Sequence, residues 1–489
     1  MIKKLTKEEL SCHLQMPIFK IIGEEADALD RECYVVGGFV RDIFLERPSK
    51  DIDCVTVGSG IELAEHIAKR LGRGAHLSVF RNFGTAQVKY KGMEVEFVGA
   101  RKESYSHDSR KPVVEDGTLE DDQNRRDLTI NDMAICLNKE RFGELVDPFH
   151  GIDDLEAGLI RTPLDPDITF SDDPLRMLRA IRFACRFGFH IVPETFEAIA
   201  RNRERINIIS GERIIDELNK IMMCEQPSVG WSLLQRCGLL QIIFPELQAL
   251  SGIETKEGRG HKDNFVHTIT VLDNVCRSQA EKKKEKSDDK TPAFDTTLWL
   301  RWAAVMHDLG KAKAKAWDDK VGWTFHNHDY LGSRMVMNIF RRLKLPLGAE
   351  EKYVEKLVAL HMRPINLADE GITDSAIRRV LFEAGDDIDD LMTLCEADIT
   401  SKIPEKVRRF LDNFKVVRQK MAEIEEKDNI RNMKLPVDGL EIMQRYGLSP
   451  SREVGTLREA EKNAILDGVI HNDRDEALAY LDRMAKELL

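Results

Sequence analysis

Two aspartates one residue apart, Asp51 and Asp53, lie just inside an apolar run in "GGFVRDIFLERPSKDIDCVTVG" (37–58). In a strand, residues i and i+2 point to the same face, so these carboxylates aim at one spot. Like charges that close are costly without a cation, and hard oxygen ligands suit Mg²⁺. Ahead of them, Gly37 and Gly38 follow an apolar run and open a helical stretch. Backbone N–H groups left open at a helix start would seat phosphate. Arg41, one turn on, would reach the same phosphates. Together these residues describe a metal–nucleoside triphosphate site. Either half alone matches often by chance; the two in this order and spacing rarely do. Holding two metals near one site takes a third carboxylate. Glu96 in "MEVEFVGAR" is the better candidate, and Glu94 shares its strand face by parity.

Two further stretches carry chemistry. In "SDDPLRMLRAIRF" (171–183), Asp173 before Pro174 is a helix N-cap followed by proline at the first helical position. Arg176, Arg179 and Arg182 then recur at helical spacing, and at least the first two share a face. The plain alternative is a capped helix with a solvated arginine stripe. In "AAVMHDLGKAKAK" (303–315), His307 and Asp308 stand side by side on an apolar helix ending at Gly310, an unusual pair inside such a run.

The elements that must position these groups follow from periodicity. "CYVVGG" reads as a short strand ending in glycines, "FVRDIFLE" as one or two helical turns, and "DIDCVTVG" as a strand. "ELAEHIAKRLG" is an amphipathic helix with a glycine stop. "TAQVKYKGMEVEFVGA" is two strands around a Lys91-Gly92 turn. From about residue 153 the pattern is helical almost throughout, with no internal repeat. "RKESYSHDSRKPVVEDGT" (101–118) reads as a polar, mobile loop and "SQAEKKKEKSDDKTP" as a linker or exposed loop. The charged stretch "RQKMAEIEEKDNIRNMK" is helix-like. The whole is an α+β chain, a small mixed head followed by a long helical body.

The 489 residues suffice for several domains, and 42% hydrophobic with 32% charged residues indicates a globular chain with ample core. No apolar run approaches a membrane span, and "MIKKLTKEEL" is too polar for a signal peptide. Nine scattered cysteines with no C-x-x-C pair fit buried or free thiols in a reducing cytoplasm. The expected localisation is therefore cytoplasmic, with no membrane partner. A net charge of −12 argues against coating nucleic acid non-specifically, yet leaves room for a local basic groove.

The motifs together resemble the class II tRNA nucleotidyltransferase and bacterial poly(A) polymerase family, built on the polymerase-β nucleotidyltransferase fold. "GGFVRD" with "DID" resembles the family's first motif, "RRDLTINDMA" (125–134) its second, and "DPFHGIDDLEAGLIRT" (147–162) the segment leading into the neck. "SDDPLRMLRAIRFACRFGF" (171–189) resembles the nucleotide-selecting motif and "GERIIDELNKIM" (211–222) the one after it. The resemblance implies metal-assisted phosphoryl transfer with two Mg²⁺ at Asp51, Asp53 and Glu96. It implies nucleotide recognition by Gly37, Gly38, Arg41, Arg125, Arg126, Asp127, Asn131, Asp173, Arg176, Arg179 and Arg182. Asp173 and Arg176 would serve as a protein template for the incoming base, since a carboxylate accepts from the amino group of C or A and a guanidinium donates to ring acceptors. Arg179 and Arg182 would face the triphosphate. At Asp172 the family usually has Glu, a longer reach for the same charge. Asp127 has a plainer alternative, a surface pair with a neighbouring arginine.

"AAVMHDLGKAKAK" resembles the HD phosphohydrolase superfamily, and that resemblance implies a transition-metal site at His267, His307, Asp308, His328, His361 and Asp398. The expected domains are a nucleotidyltransferase head over 1–150, a helical neck over 151–254, an HD domain over 255–410 and a tRNA-binding helical tail over 411–489. The leading expectation is a monomeric or homodimeric CCA-adding enzyme that builds or repairs the tRNA 3′ end from CTP and ATP. The "FGTAQV" stretch (83–88) resembles the CCA-adding pattern more than the basic stretch of poly(A) polymerases, and this with the absence of a strongly basic tail tilts against the poly(A) polymerase alternative. A CC-only or A-only adding enzyme, and an HD phosphohydrolase with an RNA-binding head, complete the set.

Overall fold

The computed structural model describes residues 5–49, 51–106, 109–285, 294–370, 373–401, 403–428 and 430–488. It divides into two units, Met1–Ile243 and Phe244–Leu489. The first begins with α1 (Lys7–His13) and α2 (Pro17–Ala28) and then alternates β1 (Cys33–Val36), α3 (Gly38–Phe44), β2 (Asp51–Thr56) and α4 (Gly60–Leu71). There follow β3 (His76–Phe80), β4 (Thr85–Tyr90), β5 (Met93–Gly99), β6 (Arg101–Ser106), β7 (Ser109–Asp116), α5 (Leu119–Asn124), β8 (Ala134–Cys136) and β9 (Leu145–Val146).

Seven of these strands form a mixed sheet in the order β3-β4-β5-β2-β1-β8-β9. The β2–β5 pair is parallel, which sets Asp51 opposite Glu94 and Asp53 opposite Glu96. Period-two burial sorts the two faces: Ile52, Cys54, Ala86, Val88, Val95 and Phe97 are buried, and the alternate positions of β2, β4 and β5 carry Asp51, Asp53, Gln87, Glu94 and Glu96. Helix α4, with Leu63, Ala64 and Ile67 buried, packs on β4 and β5. Truncating Ile67, which has no exposed surface, would cost about 2–5 kcal/mol. The sheet is thus anchored through one face, and the carboxylates stand on the other.

The rest of the first unit is helical: α6 (Gly151–Ala157), α7 (Pro166–Asp172), α8 (Leu175–Phe187), α9 (Pro193–Asn202), α10 (Gly211–Met222), α11 (Pro227–Arg236) and α12 (Leu239–Ile243), with a two-residue parallel pair, β10 (Leu159–Ile160) and β11 (His190–Ile191). The second unit runs α13 (Pro245–Gln248), β12 (Thr255–Lys256), β13 (Arg259–Gly260), α14 (Asn264–Glu285), α15 (Thr297–Met306), α16 (Lys311–Ala314), β14 (Ala316–Asp318), β15 (Gly322–Thr324), α17 (His328–Leu343) and α18 (Ala349–Leu360). It ends with α19 (Met362–Glu370), α20 (Asp374–Ala384), α21 (Ile388–Asp398), α22 (Pro404–Asp428), α23 (Gly439–Tyr446), α24 (Arg452–Leu466) and α25 (Arg474–Leu488). The chain is α+β, a head with a mixed sheet followed by a helical body. No helix among the described residues is long and apolar enough to cross a membrane.

Several local expectations need correction. The stretch 101–118, read as a loop, forms the β6–β7 hairpin, with residues 107–108 outside the described residues. Its charges and Pro112 hide the strand signal. Residues 278–285, read as linker, continue α14, because Ala, Glu and Lys are strong helix formers; residues 286–293 lie outside the described residues. The hairpins β12–β13 and β14–β15 were not expected at all. Helix α22 runs unbroken across the boundary placed at 410/411.

Candidate active site and a second metal-ligand cluster

In the first unit, Gly37 turns the chain from β1 into α3 with φ of 72°, a backbone conformation that favours glycine. This brings the helix start beside Asp53: a Cβ at Gly37 would lie 3.9 Å from Asp53 Oδ2. The Gly37 N–H is not open for phosphate, however; it donates to the Met133 carbonyl at 3.3 Å. Beside these elements lies a cavity of about 870 Å³. Its wall includes Gly37, Gly38, Arg41, Asp51, Asp53, Arg125, Asp127, Asn131, Asp173, Arg176, Arg179 and Arg182. The structure therefore gathers all the expected nucleotide-site residues except Glu96 around one space. Glu96 lines a neighbouring cavity, although its β5 position lies directly across from Asp53.

The carboxylate row is electrostatically loaded. Burial pushes the Asp53 carboxyl above its usual range, Glu96 and Asp51 push the same way, and Arg126 opposes them. Charge of this kind fits a divalent cation, since neighbouring strand positions supply hard oxygen donors and their mutual repulsion is what a cation relieves. Glu94 is otherwise engaged: Lys89 Nζ donates to it at 2.6 Å and Gln87 Nε2 at 3.1 Å. The ligand atoms of Asp51, Asp53 and Glu96 are not drawn within 4.8 Å of one another.

The segment 125–134 ties the sheet to helix α8. Asp127 is buried; Arg179 Nε donates to its Oδ2 at 2.6 Å and Asn131 Nδ2 to its Oδ1 at 3.2 Å. Burial opposes ionisation, but Arg179 and Asn131 outweigh it and hold the Asp127 carboxyl below the usual range. The pair is half-buried and spans 52 positions, not the surface pair considered from sequence. Arg125 and Arg126 both donate to the buried Asp122. Arg41 is likewise committed, to Asp42 at 2.9 Å and to Asn131 Oδ1 at 2.5 Å, with its guanidinium 5.2 and 4.9 Å from the ring centres of Phe183 and Phe187.

Helix α8 does not carry a solvated arginine stripe. Arg176 and Arg182 are each only 9% exposed. Arg176 donates to the Thr169 carbonyl at 3.3 Å, and Arg182 faces Glu217 at 3.1 Å. Asp173 caps the helix as expected, its Oδ1 accepting from the Leu175 N–H at 3.1 Å. Its Oδ2 accepts from Arg213 of α10 at 3.1 Å. Arg213 and Asp132 are functional candidates that sequence reasoning passed over. Asp132 is 1% exposed, both its oxygens lack a hydrogen-bond partner, and burial raises its pKa to about 8 against the pull of Arg126. Arg213 lay inside a quoted motif, but nothing in one sequence shows which helix face meets Asp173.

In the second unit, His267, His307, Asp308, His328, His361 and Asp398 converge. His267 Nε2 lies 3.3 Å from Asp308 and 2.8 Å from Asp398. His307 Nε2 lies 3.3 and 3.6 Å from the same two carboxylates. His328 Nε2 is 3.3 Å from Asp308 and 3.2 Å from His361 Nε2. Gly310 allows this approach, since a Cβ there would meet the His328 carbonyl at 1.9 Å. The Nδ1 atoms of His307, His328 and His361 each face a backbone carbonyl, of Ala304, Phe325 and Val358. A carbonyl only accepts, so Nδ1 carries a proton and Nε2 is the atom turned inward; with a metal bound, Nε2 would give up its proton and offer its lone pair to the ion. Burial would lower the His307 pKa, but Asp308 outweighs it and raises it to about 10; burial takes His361 down to about 4. A buried carboxylate, Asp308, and a partly buried one, Asp398, among inward-facing imidazoles fit a transition metal, with compact ligand sets at His267, His307 and Asp308 and at Asp308, His328 and His361.

Comparisons with known proteins bear on both sites. Residues 33–161 match the family model described as the poly A polymerase head domain, 188–250 that of a probable RNA and SrmB-binding site of polymerase A, and 265–435 that of the HD domain. A CCA-adding enzyme solved in an apo form shares 23% identity, with 98% of each chain covered and a TM-score of 0.64. A Thermotoga maritima CCA-adding enzyme solved with tRNA shares 22%, again over 98% of each chain, with a TM-score of 0.60. These likenesses are of fold. The multifunctional CCA protein of Shewanella frigidimarina (strain NCIMB 400) is 32% identical over 386 residues, 76% of this chain and 84% of that relative. On that identity and coverage, the chain belongs to the family of the multifunctional CCA proteins.

Proposed function

We propose that this chain is a CCA-adding tRNA nucleotidyltransferase, completing or repairing the tRNA 3′ end from CTP and ATP without a nucleic-acid template. The observation that carries this reading is the composition of the cavity beside the sheet. One wall holds the Asp51 and Asp53 carboxylates; another presents Asp173, Arg176, Arg179 and Arg182 from α8 and its cap. Asp173 accepts from the exocyclic amino group of C or A, and Arg176 donates to a ring acceptor beside it. G and U offer a carbonyl where Asp173 needs a donor, so they are rejected. Arg179 and Arg182 hold the triphosphate, and the Asp127–Arg179 pair ties α8 to the segment that leads into β8. Asp51, Asp53 and Glu96 would hold magnesium. When bound, the metal would make the primer 3′-hydroxyl more acidic and offset the charge of the leaving pyrophosphate. The protein's own share is positioning and fixed charge. The chain acts as a monomer or homodimer in the cytoplasm.

The second cluster favours a second activity, metal-dependent hydrolysis of a phosphate ester. Its inward-facing imidazoles beside Asp308 and Asp398 suit a metal that activates water. For the main reading the test is Asp51→Ala and Asp53→Ala. Each purified variant is expected to bind tRNA as the wild type does and to add no nucleotide. Nucleotide addition by either one overturns the assignment.

A further inference from the structure

A second cavity, about 500 Å³, lies in the first unit against the same sheet, lined by Phe80, Phe83, Thr85, Gln87, Glu96 and Arg101. The site described above uses only Glu96 of these. Cross-strand register makes the lining one continuous face: Phe80 opposes Thr85, Gln87 opposes Glu96, and Glu96 opposes Asp53. The carboxylate row therefore divides two spaces, with Asp51 and Asp53 on the nucleotide cavity and Glu96 on this one.

Phe83 is 71% exposed and Phe80 46%. Two large aromatic rings left in water beside a row of carboxylates serve neither core packing nor solubility. Residues Arg81–Phe83 form a 3-10 turn closed by Gly84 at φ of 65°, and Arg101 Nη1 donates to the Phe83 carbonyl at 3.5 Å. An aromatic platform, a guanidinium and a few polar side chains in a space of nucleotide size make a binding site for one nucleotide of single-stranded RNA.

We infer that this cavity seats the 3′-terminal nucleotide of the RNA primer, its base stacked on Phe83 and its 3′-hydroxyl directed at Glu96. The inference rests on the nucleotide-adding reading of the neighbouring cavity. Displacement at phosphorus needs the attacking hydroxyl and the leaving pyrophosphate roughly in line. Two cavities on either side of one carboxylate row meet that requirement. Stacking also fits the task. The terminal base of the primer changes with each addition, and an aromatic face accepts any base where a hydrogen-bonding pocket would not. Arg101 supplies positive charge for the primer's backbone phosphate.

The test compares wild type, Phe83→Ala, Phe83→Trp and Phe80→Ala/Phe83→Ala on tRNA transcripts ending before CCA. Labelled CTP is added, and KM for primer and for CTP are determined separately. A second readout is the fluorescence of 2-aminopurine placed at the primer 3′ end, without added nucleotide. Phe83→Ala should raise the primer KM by about tenfold to a hundredfold, leave the CTP KM unchanged and relieve quenching of the terminal 2-aminopurine. Phe83→Trp should restore both. Unchanged primer KM and quenching in the double variant, while wild type adds C, would overturn the inference and leave the nucleotide-adding reading intact. A rise confined to the CTP KM would assign these rings to the nucleotide instead. A wild-type protein that adds nothing removes both.

Discussion

Arg213 sets the sharpest prediction. Asp173 has one oxygen on the Leu175 N–H and the other on Arg213, each at 3.1 Å, so its carboxylate plane is fixed before any base arrives. Arg213 lies on α10, outside the helix that would read the base, which makes it a positioning residue. Its side chain is 40% exposed and that of Asp173 23%, so the ion pair contributes under about 1 kcal/mol to stability. Arg213→Gln should therefore lower Tm by about 2–4 °C at most. Its effect on selection should be larger than its effect on folding. A well-formed two-point base contact discriminates by about 1–3 kcal/mol. Losing about 1 kcal/mol of it through a freed carboxylate reduces the CTP-over-UTP ratio of kcat/KM about fivefold. The assay is the first addition to a tRNA ending before CCA, with CTP and UTP measured separately and Asp173→Ala as the reference for complete loss. An unchanged ratio in Arg213→Gln, alongside a collapsed ratio in Asp173→Ala, would refute the positioning argument. Equal loss for both nucleotides would point to the triphosphate instead.

Three further outcomes are expected. Arg179→Ala strands the buried Asp127 charge and should destabilise the first unit by roughly 2–4 kcal/mol, less than for a fully buried pair because Arg179 is a third exposed. Asp127 is held below its ordinary pKa, so the stability it contributes is complete above its unfolded value of about 3.9 and is lost as pH falls through the depressed folded value. The acid-unfolding midpoint of Arg179→Ala should accordingly lie at higher pH than wild type, and matching midpoints would contradict this. Asp132 is shifted the other way, to about 8. The folded protein holds a proton there that the unfolded chain releases near pH 4, so stability falls as pH rises from about 4 to 8. Asp132→Asn should stabilise the protein increasingly over that window and by a constant amount above it; an increment flat from pH 5 to 9 in thermal unfolding would sink the assignment. His307→Ala/Asp308→Ala should abolish metal binding and phosphate-ester hydrolysis by the second unit while nucleotide addition continues, whereas hydrolysis surviving in the purified variant would remove that site.

The head was legible because its signals are local. Period-two alternation in "TAQVKYKGMEVEFVGA" names both strands, and Lys91 and Gly92, at φ of 47° and 80°, make the turn between them. The spacing of Asp51 and Asp53 likewise survives folding unchanged, since strand parity alone puts them on one face. The β6–β7 hairpin was missed because charged residues and Pro112 suppress the same alternation. Long-range partners were out of reach: no spacing rule links Asp127 to Arg179 or Asp173 to Arg213. The same holds for the Gly37 N–H, which sequence leaves open for phosphate and the fold gives to Met133. The resemblance to the HD superfamily, by contrast, sufficed to collect six metal-ligating candidates between His267 and Asp398, because its pattern names members that are far apart in the chain. The role of Phe83 depends on what lies across two strands, which a linear reading of "FGTAQV" does not carry.

The most direct measurement supplies purified protein and Mg²⁺ with tRNA transcripts ending before CCA, after CC, or in an unrelated 3′ sequence, and reads labelled CTP and ATP incorporation at single-nucleotide resolution. The account predicts C, C and A on the first transcript followed by a stop, a single A on the second and nothing sustained on the third. Two C only, A only on the CC-ended transcript, or a long A tail on any RNA would each contradict it, and no addition to any transcript would contradict it outright.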